Sequence, residues 1–76
     1  MQAQHGHVLK AARQKRALTQ VQLSYHSGVA VGEISRIESR SLVPTRSTAI
    51  RLAEALGIPA EMLGGGDAQD VERGPT

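Results

Sequence analysis

The sequence predicts an all-α domain: a compact bundle of five short helices followed by a disordered C-terminal tail. Three observations predict it. Apolar residues recur at three- and four-residue intervals, and no segment alternates as a strand would. Helix start signals precede those segments, the clearest being Thr19 with Gln22 three residues on. Glycine or proline breaks follow them, at Gly28, Pro44, Gly57 and Gly64.

Helix 1 is expected from Gly6 to Arg16, with Val8, Leu9 and Ala12 on its apolar side and Lys10, Arg13, Lys15 and Arg16 supplying charge. Leu18 then anchors the chain before the next start. Helix 2 begins at Thr19, whose hydroxyl can accept from the Gln22 amide while the Gln22 side chain reaches back. Leu18 and Leu23 flank this cap as a hydrophobic staple. The helix is expected to end near His26 and Ser27, with Gly28 as a left-handed turn residue.

Helix 3 is expected from Ala30 to Ser39. Val29, Ile34 and Ile37 face inward by spacing, while Ser35, Arg36 and Ser39 face outward. Ala30 lacks the oxygen of a good N-cap, a loss of ~1 kcal/mol, and Gly32 lowers the propensity of the first turn. Past Pro44, Thr45 or Ser47 caps helix 4, which carries Ala49, Leu52, Ala53 and Leu56 inward and stops at Gly57. Ile58-Pro59 starts a short fifth helix through Leu63. The chain thus divides into a flexible N-terminus (1–5), a folded body (6–63) and a disordered tail (64–76).

Composition narrows the function classes. A chain of 76 residues makes one small domain that buries only about 60% of its unfolded surface. With no cysteine, neither disulfides nor a thiolate metal site can reinforce it, so tight helix packing or a partner chain is the expected supplement. The sequence has no membrane-length apolar run and no signal-peptide core, which predicts a cytoplasmic protein without a membrane partner. Residues 1–63 carry eight Lys/Arg against four acids, a net +4, and residues 64–76 carry three acids against Arg73, a net −2. A basic body suits a polyanion. Tyr25 is the sole aromatic residue, too few for stacking on single-stranded bases.

Leu18 to Glu38 has the grammar of a helix-turn-helix, two short helices joined by a glycine turn, the second presented to a DNA groove. The ordered set Leu9-x-x-x-Arg13, Leu18-Thr19-Gln20-x-x-Leu23, Gly28-Val29, Ile34-Ser35-x-Ile37-Glu38, Pro44 and Leu52-Ala53-Glu54-Ala55-Leu56-Gly57-Ile58 resembles the Cro/CI-type (XRE family) helix-turn-helix DNA-binding domain over residues 7–63. The resemblance implies a lambda-repressor-like bundle and a transcriptional regulator, a repressor or small controller protein, that binds duplex DNA as a homodimer. By position it implies that Gln20 contacts a phosphate, that Val31, Gly32, Glu33 and Arg36 face base edges, and that Ser39, Arg40, Ser41 and Arg46 contact the DNA backbone. It pairs Arg13 with Glu38 as a structural ion pair. Val43, Ile50, Ile58 and Met62 lie off the core stripes and form the expected dimer surface.

Two positions depart from the family pattern: Ala30 stands where a polar N-cap is usual, and Arg40 where a glycine is common. Val31 and Gly32 bring no side-chain hydrogen bond to a base, so Arg36 toward guanine and Glu33 toward cytosine N4 carry the expected readout. That weakness favours an alternative, a protein-interaction module of the same fold, such as an antitoxin-like subunit with a protein partner. His5 and His7 lack a third metal ligand, and His26 beside Ser27 lacks an oxyanion site. No catalytic residue, metal or cofactor is therefore expected.

Overall fold

The computed structural model describes residues 4–64. The expectations of a loose N-terminus and a disordered tail fall largely on residues 1–3 and 65–76, which lie outside that range. The described chain forms α1 (Gln4–Lys15), α2 (Gln20–Ser27), α3 (Val31–Glu38), α4 (Arg46–Leu56) and a 3-10 turn (Ala60–Leu63). It contains four α-helices, not five. Pro59 and Gly64 bracket only the four residues of the fifth segment, and Gly64 takes a left-handed φ of 71°. That leaves room for one tight turn, closed by Gly64 N–H donating to the Glu61 carbonyl.

α1 begins two residues before the expected Gly6 and ends one residue before Arg16. Its end is a Schellman turn: Leu18 N–H donates to Arg13 O at 3.1 Å and Ala17 N–H to Gln14 O at 2.9 Å. Ala17 sits at φ 58°, a left-handed position where a Cβ is disfavoured. The reversal delivers Leu18 and Thr19 to the start of α2. There the capping box closes, with Gln22 N–H donating to Thr19 Oγ1 at 3.0 Å and Thr19 N–H to Gln22 Oε1 at 2.8 Å. Gly28 ends α2 at φ 77° and donates to the Ser24 carbonyl. α3 begins at Val31, and its N-cap residue, Ala30, supplies no side-chain cap. Thr45, rather than Ser47, caps α4 by accepting from Thr48 N–H.

The core gathers Leu9 of α1, Leu23 of α2, Val29, Ile34 and Ile37 around α3, the Ala49-Leu52-Ala53-Leu56 stripe of α4, and Leu63. Leu18 and Ile58 pack against its edge, and Pro44 is fully buried in the α3–α4 connection. α3 packs on α1 and α2, α2 on α4, and the 3-10 turn against both α1 and α4. α1 approaches α3 closely through Gly6, where an added Cβ would collide with the carbonyl oxygen of Ile37. That contact makes Gly6 a packing residue, although its position inside a helix is unfavourable by propensity alone.

Candidate nucleic-acid interface

Burying Ile34 and Ile37 turns the opposite face of α3 outward. Val31, Gly32, Ser35 and Arg36 are exposed, and Ser39 continues the same face beyond the helix. Ser35 shares this outward face, one helical turn after Val31, and that spacing is the signal that marks it in the sequence. A Cβ added at Gly32 would meet nothing within 4 Å, so the protein leaves open space there. The face combines a five-donor guanidinium, a hydroxyl, an apolar side chain and bare backbone. Those groups suit guanine, either base edge, a thymine methyl and close approach, respectively.

Glu33 is half-buried at the edge of this face. Its Oε2 accepts from Thr48 Oγ1 at 3.4 Å. Thr48 Oγ1 in turn accepts from Thr45 Oγ1 at 3.2 Å, and Thr45 Oγ1 accepts from Thr48 N–H at 3.3 Å. A chain of hydroxyls therefore runs from the cap of α4 to a carboxylate on α3.

The turn after α3 is also a Schellman closure, with Ser41 N–H donating to Arg36 O at 2.9 Å and Arg40 N–H to Ile37 O at 3.0 Å. Arg40 occupies its left-handed position at φ 72°. The Ser39 and Ser41 hydroxyls both donate to the Arg36 carbonyl, at 3.1 and 3.2 Å. A phosphate oxygen only accepts, so in this arrangement the two serines brace the turn while Arg40 offers the exposed cation. Arg46 is exposed at the first residue of α4.

Beneath the face, the Glu38 carboxylate receives Arg13 Nε at 2.7 Å, Arg13 Nη2 at 3.0 Å and Gln20 Nε2 at 3.0 Å. Arg13 Nη1 also donates to the Leu18 carbonyl at 2.7 Å. Arg13 is buried, and its hydrogen bonds to Glu38 raise its pKa above the ordinary arginine value against the opposing effect of burial. One ion pair thus ties α1, the loop before α2, the first residue of α2 and the last residue of α3. The link between Gln20 and Glu38 has no sequence signal, because it spans 18 positions. It holds Gln20 at the open end of α2, where helix N–H groups favour an anion.

Val43, Ile50 and Met62 are exposed, whereas Ile58 is half-buried against the core. Val21 and Tyr25 add an exposed apolar pair one turn apart on α2. Tyr25 meets the His26 ring edge-on at 5.6 Å. Among the described residues, no three His, Cys, Asp or Glu side chains gather as a metal site, and no helix is long and apolar enough to cross a membrane.

Residues 4–63 match a protein family described as a helix-turn-helix domain. The chain is also similar to an HTH-type transcriptional repressor, RghR, of Bacillus subtilis (strain 168), with 49% identity over 59 residues. Those residues are 76% of this chain and 44% of the relative, so the chain spans less than half of that protein's length. No solved structure gives a significant match.

Proposed function

Because the chain belongs to the helix-turn-helix domain family, we propose that it is a sequence-specific transcriptional regulator, a repressor or small controller protein, that places α3 in the major groove of double-stranded DNA and acts as a homodimer. The observation that carries this reading is the outward face of α3, Val31, Gly32, Ser35 and Arg36, held on a buried base by the Arg13–Glu38 pair. Arg36 reads a base edge. Gln20, Arg40 and Arg46 engage phosphates on either side, with Ser39 and Ser41 bracing the turn between them. The similarity to a protein named as a repressor favours regulation by occupancy. Val43, Ile50 and Met62 supply exposed apolar surface for the second copy. Two copies then meet half-sites one helical turn apart, about 34 Å. The site of action is the cytoplasm, at the chromosome.

The test is selection of bound duplexes from a random pool, followed by affinity for the winning sequence at several salt concentrations. A common palindromic sequence and a steep loss of affinity with salt support the proposal. A flat salt response, with no enriched sequence, rejects it. The apolar Val31 and bare Gly32 favour a second reading, a protein-interaction module of the same fold. A stoichiometric protein partner recovered without any enriched duplex selects that reading.

A further inference from the structure

α3 carries two carboxylates in different electrostatic circumstances. Glu38 is neutralised by the Arg13 guanidinium and further satisfied by Gln20. Glu33 is partnered by a neutral hydroxyl, Thr48 Oγ1, at the edge of the outward face. The hydroxyl relay from Thr48 N–H through Thr45 Oγ1 and Thr48 Oγ1 orients that carboxylate toward the α3–α4 junction.

We infer that Glu33 is a specificity-determining residue that acts by exclusion, with Thr48 as its positioning residue. The inference rests on the duplex-DNA reading above and deepens it. An ionised carboxylate only accepts hydrogen bonds. Against a cytosine or adenine exocyclic amine it gains a partner; against guanine O6 and N7, thymine O4 or a phosphate it meets another acceptor or another negative charge. A freely rotating glutamate would swing away from such a clash. A glutamate tied to α4 turns away only by giving up the Thr48 bond. Every register that brings an acceptor to this place is therefore penalised, and non-cognate binding is weakened more than cognate binding. Specificity gained this way compensates for a face on which Val31 and Gly32 offer no hydrogen bonds.

The experiment compares the wild-type chain, Glu33→Gln and Thr48→Val on the selected duplex and on a scrambled duplex, with circular dichroism as the folding control. Glu33→Gln keeps the shape and removes the charge. It is expected to raise affinity for the scrambled duplex roughly fivefold, the size of one close like-charge contact in water, and to narrow the gap between the two duplexes. Thr48→Val keeps the charge and removes the tether. It is expected to raise scrambled-duplex affinity as well, by less than Glu33→Gln does, because the untethered carboxylate can swing away from an acceptor, and to broaden the preference at one base pair. Unchanged or reduced scrambled-duplex affinity in folded Glu33→Gln overturns the inference while leaving the DNA reading intact. Failure of the wild-type chain to bind either duplex overturns the DNA reading itself, and the inference with it.

Discussion

Arg13 and Glu38, 25 positions apart, meet through two parallel hydrogen bonds, Nε to Oε2 at 2.7 Å and Nη2 to Oε1 at 3.0 Å. Their side chains are only 11% and 5% exposed. The third donor on Glu38 is Gln20, and the third acceptor for Arg13 is the Leu18 carbonyl. Neither charge is left alone in the low-dielectric interior, and the same pair fixes where α2 starts relative to α3.

Removing one partner should therefore cost far more than removing a surface ion pair. Glu38→Ala is expected to destabilise the fold by ~3–5 kcal/mol, because it strands a buried guanidinium. Denaturant unfolding of Glu38→Ala, Arg13→Ala and the double variant measures this. The double variant should be less damaged than the sum of the singles. The sign of the pH dependence follows from the raised Arg13 pKa. A cation stabilised in the folded state contributes fully below its unfolded pKa and loses that contribution only as pH rises through the folded value. Arg13 thus contributes no slope near neutrality and a loss only in strong alkali.

Gly6 is the second determinant of that corner. A Cβ there would collide with the Ile37 carbonyl oxygen and lie 3.0 Å from the Glu38 carbonyl oxygen. Both are backbone atoms at the end of α3 and cannot rotate away. Gly6→Ala is expected to lower stability by ~1–3 kcal/mol through overpacking, despite the better helix propensity of alanine. Gly32→Ala is the internal control, since its Cβ enters open space and should leave thermal stability unchanged or raised. Equal, small shifts in melting temperature for both variants would remove Gly6 from the packing argument.

Those two glycines show where sequence legibility ends. Thr19 and Gln22, Gly28, Thr45 and Gly57 act through bonds within a few residues, so their sequence signals describe the structure directly. Ala17 does not: alanine ordinarily continues a helix, yet here it takes a left-handed turn because Leu18 must reach the core edge while α2 begins at Gln20. Gly6, the Gln20–Glu38 link and the Glu33–Thr48 bond depend on helices meeting, and no local pattern announces them. The fifth segment reads in the sequence as a short helix, but its bracketing Pro59 and Gly64 leave room only for a four-residue 3-10 turn.

Arg40 separates stability from binding. Its left-handed φ of 72° closes the Schellman turn after α3, a conformation that glycine adopts without a Cβ penalty. Arg40→Gly is expected to stabilise the fold by up to ~1 kcal/mol, equivalent to a rise of roughly 4–8 °C in melting temperature for a domain of this size. If Arg40 contacts a phosphate, the same variant binds duplex DNA more weakly and its log–log salt slope shrinks by about one. Calorimetry and a salt titration on the same preparation read both effects. A more stable protein with an unaltered salt slope would assign Arg40 to the turn alone.

Arg36 carries the strongest prediction about readout. It is exposed in the last turn of α3, and its backbone carbonyl is held by the Ser39 and Ser41 hydroxyls and by Ser41 N–H. The backbone at the base of the side chain is therefore fixed while the guanidinium remains available. A bidentate contact to guanine contributes about 1–3 kcal/mol of discrimination. Arg36→Ala should accordingly reduce affinity for the selected duplex about 5- to 150-fold, and affinity for a scrambled duplex far less. Substituting the base pair that Arg36 reads should then matter little to the variant while still impairing the wild-type chain. Measured as a four-cornered cycle of two proteins and two duplexes, the coupling between Arg36 and one base pair should be large. Equal weakening on every sequence, with a shallower salt slope, would instead place the Arg36 guanidinium on a phosphate and leave Ser35 and Glu33 as the polar side chains of α3 available to choose a base.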